Sequence, residues 1–570
     1  MARTVTISNK SFETIVENNY FYVDKTMFIK EWWEGGEEVT LITRPRRFGK
    51  TLTMDMVERF FSVQYKNSPG PFLKLAIGKD PEMMKLQGTL PVIMLTFMSI
   101  EGTTYKMMIG MLSNLVREVF EQFRHDTKLR GVGRENAGFV REILKERYDE
   151  KGQVIPLTEQ MIIYSLPRLS LMLKRKYGKN VLIILDEYDT PLQSAYLNGY
   201  WKQAAEFFGL LFKKTFKENK CLGRALITGI SRVSRESLFS PFNNPSMCSV
   251  TVPFYEDSFG FTQEEVDDAL VEYSMEDRHD DVKRWYDGYR FGDRGGMYNP
   301  WSIVSMLSVK KLGSYWTNTA SNEIVSHVLR YGSDDLKDKF VVLMQGGTVT
   351  ARVDEDTTYM TLLAKSDTVW GLLLACGYLK AEECDEENIC TLAIVNHEVS
   401  RMMDSLVLAW FNTQNDQTSH EKFTQALADC NEEEMQASLS ALSMELIGSS
   451  DGSDHEGDHE PEKFYHGFVL GIVAALRNRF VISSNRESGT GRSDILMEPR
   501  NRQKDKGIII EFKVFNPEEE KDLEGTCNRA LDQIEKKQYA QELIRRGILE
   551  ERIAKFGIGY KGKEALVRKA

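Results

Sequence analysis

Apolar and polar residues alternate in two ways along the first half of the chain. Short β-branched runs lie at residues 38–43, 89–97, 180–189 and 221–232, and the longer stretches between them repeat apolar residues at helical spacing, as in TYKMMIGMLSNLVREVFEQF (104–123). Apolar runs that alternate with amphipathic helices are typical of a parallel sheet flanked by helices. The pattern therefore predicts an α/β domain over residues 1–260.

The pattern changes after residue 260 and again near residue 449. A helical, aromatic region contains three loop-like motifs: WYDGYRFG (285–292), YNPWSI (298–303) and YWTNTASN (315–322). We expect a mostly helical lid or connector over 261–448. The run SSDGSDHEGDHEPE is acidic and poor in apolar residues, which predicts a solvated linker at 449–462. A compact α/β unit is expected over 463–570.

Composition limits the class of protein. A chain of 570 residues with 42% hydrophobic residues can form several domains. No apolar run approaches the roughly 18 residues of a membrane span, and the first residues lack the apolar stretch of a signal peptide, so we expect a cytoplasmic protein without a membrane partner. The seven cysteines never show C-x-x-C spacing. We therefore expect free or buried thiols rather than disulfides or a zinc cage.

Charge is distributed unevenly along the chain. The net charge is −11, but residues 416–462 carry thirteen Asp or Glu against one Lys, whereas residues 463–570 carry twenty-two Lys or Arg against sixteen acids. The C-terminal unit is therefore basic, as expected for a domain that meets phosphates. A surplus of this size is also common on solvated surfaces.

A candidate phosphate-binding loop follows the first β-branched run. In EVTLITRPRRFGKTLTM (38–54), Gly49, Lys50 and Thr51 supply the second half of the pattern G-x-x-x-x-G-K-[ST], but Arg44 occupies the position of the first glycine. Backbone amides and the helix dipole would bind phosphate, the lysine would reach the terminal phosphates, and the hydroxyl would bind Mg²⁺. From these residues alone, the loop is either a nucleotide site or a chance match.

Two further strands carry residues suited to nucleotide hydrolysis. VLIILDE (181–187) ends in Asp186, a candidate Mg²⁺ ligand, and Glu187, which can polarise the attacking water. A third strand ends near Thr228, which can sense the γ-phosphate, and Arg232 or Arg235 can stabilise developing charge. Acids at an exposed strand end and surface arginines are the alternative interpretations.

The C-terminal unit contains a second candidate site. Asp494 lies in ESGTGRSDILMEP (487–499), and Glu511 and Lys513 lie two residues apart in GIIIEFKV (507–514), which places both on one face of a strand. Asp494 and Glu511 can bind Mg²⁺ or Mn²⁺ with the Ile510 carbonyl, and Lys513 can orient or deprotonate water. A solvated strand face is the alternative, although GIII is apolar enough to be central.

Several motifs together resemble a known family. YFYVDKT (20–26), LITRPRRFGKT (41–51), LDEYDTPL (185–192), ITGISRVSRESLFSPFNN (227–244), WYDGYRFG and YNPWS resemble the AAA-ATPase-like family, whose members usually carry a C-terminal PD-(D/E)XK nuclease domain. In that family R-P-R-R-F-G-K-T is the usual phosphate loop, which makes Arg44 a family feature.

The resemblance implies specific residues for each site. For the first it implies a P-loop fold that binds ATP through Arg47, Phe48, Gly49, Lys50, Thr51, Asp186, Thr228 and Arg232, with Tyr22, Asp24 and Lys25 nearby. For the second it implies a restriction-endonuclease-like fold in which Gln533 and Tyr539 match the late motif. His466 is either near the metal or a packed helix residue. DHEGDHE (454–460) is interpreted as a spacer, and the aromatic motifs as packing residues rather than base-stacking ones.

The resulting hypothesis is an ATP-dependent nuclease. Its ATPase uses Lys50, Thr51, Asp186 and Glu187, its nuclease uses Asp494, Glu511 and Lys513, and its substrate is nucleic acid, with DNA implied by the resemblance. One alternative is an ATP-operated switch that binds nucleic acid or a protein without cutting, and another is a nuclease with a structural ATPase domain. A homo-oligomer would let Arg232 or Arg235 act in a neighbour's site.

Overall fold

The chain forms two compact units: unit 1 comprises Met1–Val328 and Thr350–Val399, and unit 2 comprises Leu329–Val349 and Ser400–Ala570. The computed structural model describes residues 2–7, 11–124, 134–150, 152, 154–233, 245–316, 334–344, 346–357, 366–403, 417–448, 473, 476, 478–488, 491–517, 520–561 and 564–570. Residues 261–328 and 350–399 of the predicted lid region belong to unit 1, and residues 329–349 and 400–448 belong to unit 2.

A parallel sheet forms the centre of unit 1. Its strands are β1 (Val39–Thr43), β2 (Val92–Thr96), β3 (Val181–Asp186), β4 (Leu222–Gly229) and β6 (Ser246–Cys248), in the order β2-β3-β4-β1-β6. All four neighbouring pairs are parallel, and every residue of β1 and β3 is buried. The α/β fold predicted from the apolar runs is confirmed. Because the strands are parallel, the loops after β1, β3 and β4 meet at one edge of the sheet.

Helices cover the sheet, as a parallel sheet requires. Those in the first part of unit 1 are Phe12–Glu17, Met27–Gly35, Lys50–Phe61, Pro81–Met84, Tyr105–Gln122, Arg134–Leu144, Glu159–Tyr177, Thr190–Leu197 and Trp201–Phe212. Phe12, Trp32 and Phe60 from the first three share one core with Ile42 and Ile184 of the sheet. Thr104 and Thr158 cap the two longest helices by accepting hydrogen bonds from backbone amides.

The middle of unit 1 is helical with small sheets added. Its helices are Gln263–Glu272, His279–Tyr286, Pro300–Val309 and Ser366–Ala375. Its strands are β5 (Arg232–Val233), β7 (Tyr289–Phe291), β8 (Arg294–Met297), β9 (Val349–Arg352), β10 (Asp356–Thr357), β11 (Leu379–Cys384) and β12 (Ile389–Ile394). β7 pairs with β8, β10 with β5, and β11, β12 and β9 form a three-stranded sheet.

The expectation of free thiols is wrong for two cysteines. Cys384 and Cys390 form a disulfide, with their Cα atoms 4.1 Å apart, and they are register partners in the β11–β12 hairpin. The spacing C-x₅-C gave no signal because only the hairpin register brings the two residues opposite each other. The other five cysteines are free.

Unit 2 is built on a mixed sheet. Its strands are β13 (Phe480–Ser488), β14 (Gly491–Pro499), β15 (Gly507–Val514), β16 (Ile553–Lys561) and β17 (Glu564–Lys569), in sequence order across the sheet. Its helices are Asp334–Met344, Gln417–Ala428, Glu432–Gly448, Leu523–Lys536 and Ala540–Arg545. Only β15 and β16 run parallel; the other neighbours are antiparallel.

The two faces of this sheet are covered by different parts of the chain. Phe423, Met435 and Leu439 from the helices before residue 449 share a core with Ile508 and the other residues of their face of β15. The opposite face packs through Ile509 against Ile534, Tyr539 and Leu543. Because side chains alternate along a strand, Glu511 and Lys513 lie on the same face as Ile509.

Several predicted features lie outside the described residues: Arg235, His466, residues 317–322 of the motif YWTNTASN and the acidic segment 449–462. No helix within the described ranges is both long and apolar enough to cross a membrane.

Candidate functional site

The first candidate site is the loop between β1 and the helix Lys50–Phe61. Gly49 is the N-cap of that helix and has φ +82°, a left-handed conformation that glycine adopts without steric cost. Arg47 also has positive φ, at +67°. The loop therefore turns sharply into the helix N-terminus, where unpaired backbone amides can receive an anion.

Lys50 and Thr51 open the helix, and their side chains contact the loop and the end of β3. The Lys50 ammonium is buried, donates to the carbonyl oxygens of Arg44 and Pro45 at 3.0 and 3.1 Å, and lies 3.9 Å from Glu187 Oε1. Thr51 Oγ1 donates to Asp186 Oδ2 at 2.7 Å. A hydroxyl and a carboxylate side by side form the hard-oxygen pair that Mg²⁺ prefers.

Asp186 links the loop to the neighbouring strand. Thr228 Oγ1 donates to its other oxygen, so the helix Lys50–Phe61, β3 and β4 all contribute to one cluster. Burial and the adjacent Glu187 carboxylate raise the pKa of Asp186, while hydrogen bonds from Thr228 and Thr51 and the charge of Lys50 oppose that shift. Glu187 has φ +57°, a strained conformation for a non-glycine residue that is typical of functional positions.

Asp189 fixes the end of β4 and was not assigned a role from the sequence. Its carboxylate accepts hydrogen bonds from the amides of Ile230 and Ser231 and from the Ser231 hydroxyl, at 3.0–3.3 Å, and it is fully buried. Tyr188 OH donates to the Ser231 carbonyl at 2.8 Å. A Cβ at Gly229 would come within 2.6 Å of the Tyr188 ring, so the two strand ends are closely packed. The signal available in the sequence was a third acid, two residues after Glu187.

Arg44 is a structural residue of the loop. Its guanidinium is fully buried and donates to the carbonyl oxygens of Thr43, Cys248, Ser249 and Phe254, at 2.7–3.0 Å. Burial lowers the pKa of Arg44 to about 10. The residue that replaces the usual glycine therefore points into the protein and ties the loop to the end of β6 and the segment after it.

Arg47 and Phe48 direct their side chains toward the middle region. The Phe48 ring is buried and meets Tyr289 and Phe291 edge-on, with centroids 4.8 and 5.2 Å apart. The Arg47 guanidinium lies 4.2 Å from the centroid of the Trp301 ring. Phe48 therefore contributes its backbone, not its ring, to any phosphate site, and the motifs WYDGYRFG and YNPW pack against the loop.

Four other predicted residues contact residues elsewhere in unit 1. Arg232 Nη1 pairs with Glu355 Oε2 at 3.2 Å, so contact with a phosphate would compete with this ion pair. Asp24 accepts hydrogen bonds from Thr26 and from the Ala76 amide, and Lys25 pairs with Glu265 at 2.6 Å. Tyr22 OH approaches Met56 Sδ at 3.5 Å, on the helix that starts at Lys50.

The second candidate site lies on β14 and β15 of unit 2. Ile495 is the register partner of Ile510. Just beyond this pair, hydrogen bonds from backbone amides to the side chains of Asp494 and Glu511 join the two strands. The Asp494 amide donates to Glu511 Oε2 at 3.3 Å, and the Phe512 amide donates to Asp494 Oδ2 at 2.9 Å. Lys513 Nζ lies 3.7 Å from Glu511 Oε1. The structure thus brings all three predicted residues together.

The helix Leu523–Lys536 completes this cluster. Gln533 Nε2 donates to Glu511 Oε1 and lies 3.2 Å from Tyr539 OH. Tyr539 is buried; burial and the charges of Glu511 and Asp494 raise its pKa, against the Gln533 hydrogen bond and Lys513. The helix can approach because β16 carries glycines beneath it: a Cβ at Gly557 would lie 2.4 Å from the Cys527 carbonyl oxygen.

Both sites suit a magnesium-type ion that keeps water or substrate ligands. Among the described residues, no group of three or more His, Cys, Asp or Glu side chains is placed to hold a metal ion. Each site instead offers two hard-oxygen side chains: Thr51 with Asp186, and Asp494 with Glu511. Mg²⁺ is commonly bound by one or two carboxylates plus substrate phosphates. Glu511 is buried beside the partly buried Asp494, and a cation would offset the cost of placing the two acids next to each other.

Comparison with known proteins agrees with this division. Residues 6–239 match the family described as predicted AAA-ATPase, and residues 460–570 match the PD-(D/E)XK nuclease superfamily. The chain is also similar to an uncharacterized protein in the vnfD 5' region of Azotobacter chroococcum mcd 1, at 24% identity over 329 residues. That match covers 55% of this chain and 54% of the relative, so it spans about half the length of each.

Proposed function

The chain contains a predicted AAA-ATPase domain and a PD-(D/E)XK nuclease domain, and from this premise we propose that it is a metal-dependent nuclease controlled by ATP binding and hydrolysis. The observation that carries the proposal is the convergence of Asp494, Glu511, Lys513 and Gln533 on one face of the unit 2 sheet. A Glu and a Lys that emerge from a buried strand beside a second acid are costly unless they are functional.

The nuclease residues divide the chemistry among them. Asp494 and Glu511 would hold Mg²⁺ or Mn²⁺, which supplies positive charge for the phosphate as it gains charge in the transition state. Lys513 would orient the attacking water and stabilise the same charge. Gln533 holds Glu511 Oε1, which fixes the carboxylate whose second oxygen faces the Asp494 amide.

The ATPase residues fit nucleotide hydrolysis in the same way. Lys50 would exchange its bonds to the Arg44 and Pro45 carbonyl groups for the β- and γ-phosphates, and Thr51 with Asp186 would hold Mg²⁺. Glu187 would polarise the attacking water. Thr228, already bonded to Asp186, would lie next to the γ-phosphate.

The substrate class follows from the nuclease superfamily and from charge. The surplus of Lys and Arg over acids in residues 463–570 supports a polyanionic substrate, and we propose DNA. A cytoplasmic location and a homo-oligomer remain predictions. In an oligomer, Arg232 would act on a neighbour's nucleotide only after leaving Glu355.

The test is cleavage of linear and circular DNA, single- and double-stranded, with Mg²⁺ or Mn²⁺, with and without ATP. The variants are Lys50→Ala and Glu511→Ala, and the matched controls are the exposed residues Lys85→Ala and Glu535→Ala. Loss of cleavage in both test variants, with both controls active, supports an ATP-controlled nuclease. Loss only in Glu511→Ala would make the ATPase a structural domain.

One result favours the alternative of a non-cleaving switch. ATP hydrolysis combined with metal-independent DNA binding, and no product with any metal or DNA form, would overturn the nuclease proposal. No specific contact in the described residues favours that alternative now, because the acids and the lysine of unit 2 have the arrangement that cleavage needs.

A further inference from the structure

The main-chain carbonyl of Arg46, in the centre of the phosphate loop, is held from outside the ATPase-matched region. Trp316 Nε1 donates to this oxygen at 3.0 Å, and Asn299 Nδ2 donates to it at 3.2 Å. Residues 299 and 316 lie well beyond position 239, where the family match ends. Two side chains therefore donate hydrogen bonds to the same backbone oxygen of the loop.

A buried acid positions Trp316. Glu398 is fully buried, and its carboxylate accepts hydrogen bonds from the Trp316 amide at 2.9 Å, from the Tyr315 amide, and from Ser302 Oγ at 2.7 Å. Burial raises the pKa of Glu398, and these three hydrogen bonds oppose the shift. In the part of the chain that the structure describes, Glu398 makes no ion pair with Lys or Arg. Burying a carboxylate without a neighbouring cation costs free energy. The three hydrogen bonds that Glu398 accepts therefore indicate a specific structural role.

The loop conformation depends on such support. Arg47 and Gly49 both have positive φ, and only glycine adopts that conformation freely. The side chains of Phe48 and Arg47 are already engaged by Tyr289, Phe291 and Trp301, so the loop presents its backbone to a ligand. The orientation of the Arg46 peptide then sets where the following amides point.

We propose that Trp316 and Glu398 are positioning residues of the nucleotide site. Trp316 holds the Arg46 carbonyl so that the loop amides face the phosphates, and Glu398 holds Trp316. The inference rests on the proposed ATP site. In this proposal neither residue contacts the nucleotide. Each raises the fraction of molecules whose loop is in the binding-competent conformation, and the apparent Kd rises in inverse proportion to that fraction.

The test compares Trp316→Phe with Trp32→Phe in the full-length protein. The two tryptophans are matched: each is 1% exposed, and each indole makes one hydrogen bond of 3.0 Å, Trp316 to Arg46 and Trp32 to Thr40 Oγ1 near the start of β1. Four quantities are measured: the Kd of a fluorescent ATP analogue, the KM and the kcat of ATP hydrolysis, and Tm. A further readout is the change in intrinsic tryptophan fluorescence on adding ATP.

We expect Trp316→Phe to raise the Kd and KM about fivefold, the equivalent of one hydrogen bond, with a smaller change in kcat. The ATP-induced change in tryptophan fluorescence should shrink in Trp316→Phe and persist in Trp32→Phe. Both variants should lower Tm by similar amounts. Equal Kd and KM in the two variants would overturn the inference, because Trp316 would then contribute only packing.

A second pair of variants tests Glu398 without removing a ring. Glu398→Gln keeps the shape but replaces one acceptor oxygen with an amide donor, and Ser302→Ala removes one of the three donors. We expect Glu398→Gln to raise the KM for ATP about as much as Trp316→Phe, and Ser302→Ala less. Wild-type KM in Glu398→Gln would exclude its part of the inference. If the wild-type protein binds no ATP analogue at all, the proposed ATPase function fails, and this inference fails with it.

Discussion

The two candidate sites are assembled in different ways. In unit 2, Asp494, Glu511, Lys513, Gln533 and Tyr539 come from two adjacent strands and the helical segment that follows them. In unit 1, the nucleotide site draws on the loop at 44–51, the ends of β3 and β4, and residues between 289 and 398. The site in unit 2 is local in sequence, and the site in unit 1 is dispersed.

This difference in assembly predicts how each site should respond to substitution. A local site depends on a few side chains that bind metal or substrate directly, so single changes should be severe and confined to that activity. A dispersed site depends also on residues that shape a loop, so changes there should be graded and should act through binding or positioning. The following predictions test that contrast, beginning with the largest effect.

Glu511→Gln should abolish the nuclease activity and leave the ATPase intact. The amide cannot serve as a charged metal ligand, and we expect cleavage to fall by about a thousandfold or more while ATP hydrolysis stays at the wild-type rate. Both rates are measured on the same preparation. The control is Glu535→Gln, an exposed residue that pairs with Lys555. Residual cleavage near the wild-type rate would show that the centre is not the local cluster described here.

Glu187→Gln should separate ATP binding from hydrolysis. Lys50, Thr51 and Asp186 are unchanged, so the Kd for ATP should stay within about twofold, whereas kcat should fall by about a hundredfold or more because the water loses its polarising carboxylate. Exposed Glu206→Gln is the control. A normal kcat in Glu187→Gln would remove this residue from the catalytic set.

Asp189→Asn should give an intermediate, graded effect. With its oxygen at the Oδ2 position, the asparagine can still accept from the Ile230 and Ser231 amides, but its NH₂ group then replaces Oδ1 and faces the Ile230 amide, so the end of β4 should shift and kcat should fall about tenfold. Ser231→Ala removes one donor and should have a smaller effect in the same direction. If Asp189→Asn lowers only Tm and leaves kcat unchanged, Asp189 supports the fold and not the reaction.

Glu58→Gln should change the pH dependence of stability. Burial and the nearby Asp55 raise the pKa of Glu58 to about 7, from an ordinary value near 4.5. Between these values the folded state holds more protons than the unfolded state, so stability falls as pH rises from about 4.5 to 7 and stays low above it. At pH 8, Glu58→Gln should be more stable than the wild type by up to about 3 kcal/mol.

In unit 2, the pKa of Glu498 shifts in the opposite direction, below its ordinary value. Burial alone would raise the pKa of Glu498, but its ion pairs with Arg546 and Arg502 lower it. Stability from this carboxylate is therefore present above its unfolded pKa and lost as the pH falls through the folded one. Thermal melts of Glu58→Gln and Glu498→Gln between pH 4 and pH 8 should diverge from the wild type in opposite directions. Parallel curves would contradict the assigned shifts.

The contrast also explains what could be predicted from the sequence. The parallel sheet followed from β-branched runs, because burial on both faces leaves a continuous apolar signal. Asp494, Glu511 and Lys513 were identifiable together because two-residue alternation fixes the face of a strand. Lys50, Thr51 and Asp186 were predicted together because a phosphate loop places a Lys-Thr pair at the start of the helix after one strand and an acid at the end of another.

The supporting residues of the nucleotide site gave no comparable signal. Glu398 and Trp316 are 82 residues apart, and nothing in their spacing indicates that Glu398 accepts a hydrogen bond from Trp316 while Trp316 donates one to the loop. Arg44 was visible as a departure from the usual glycine, but its inward direction depends on carbonyl groups near residues 248–254. Contacts set by tertiary packing, like the register of the Cys384–Cys390 hairpin, cannot be read from local sequence.

The helices before residue 449 and the strands after residue 480 share one core. The acidic segment between them therefore connects two parts of one core and does not separate two independent domains. Because the described residues on both sides of it belong to one core, the length of this connection should affect stability only weakly, by about 0.6 kcal/mol for each doubling. A protease nick there would leave two fragments that stay associated. A fragment limited to residues 460–570 would instead expose the face of β15 that carries Ile508, Ile510 and Phe512, and it should aggregate.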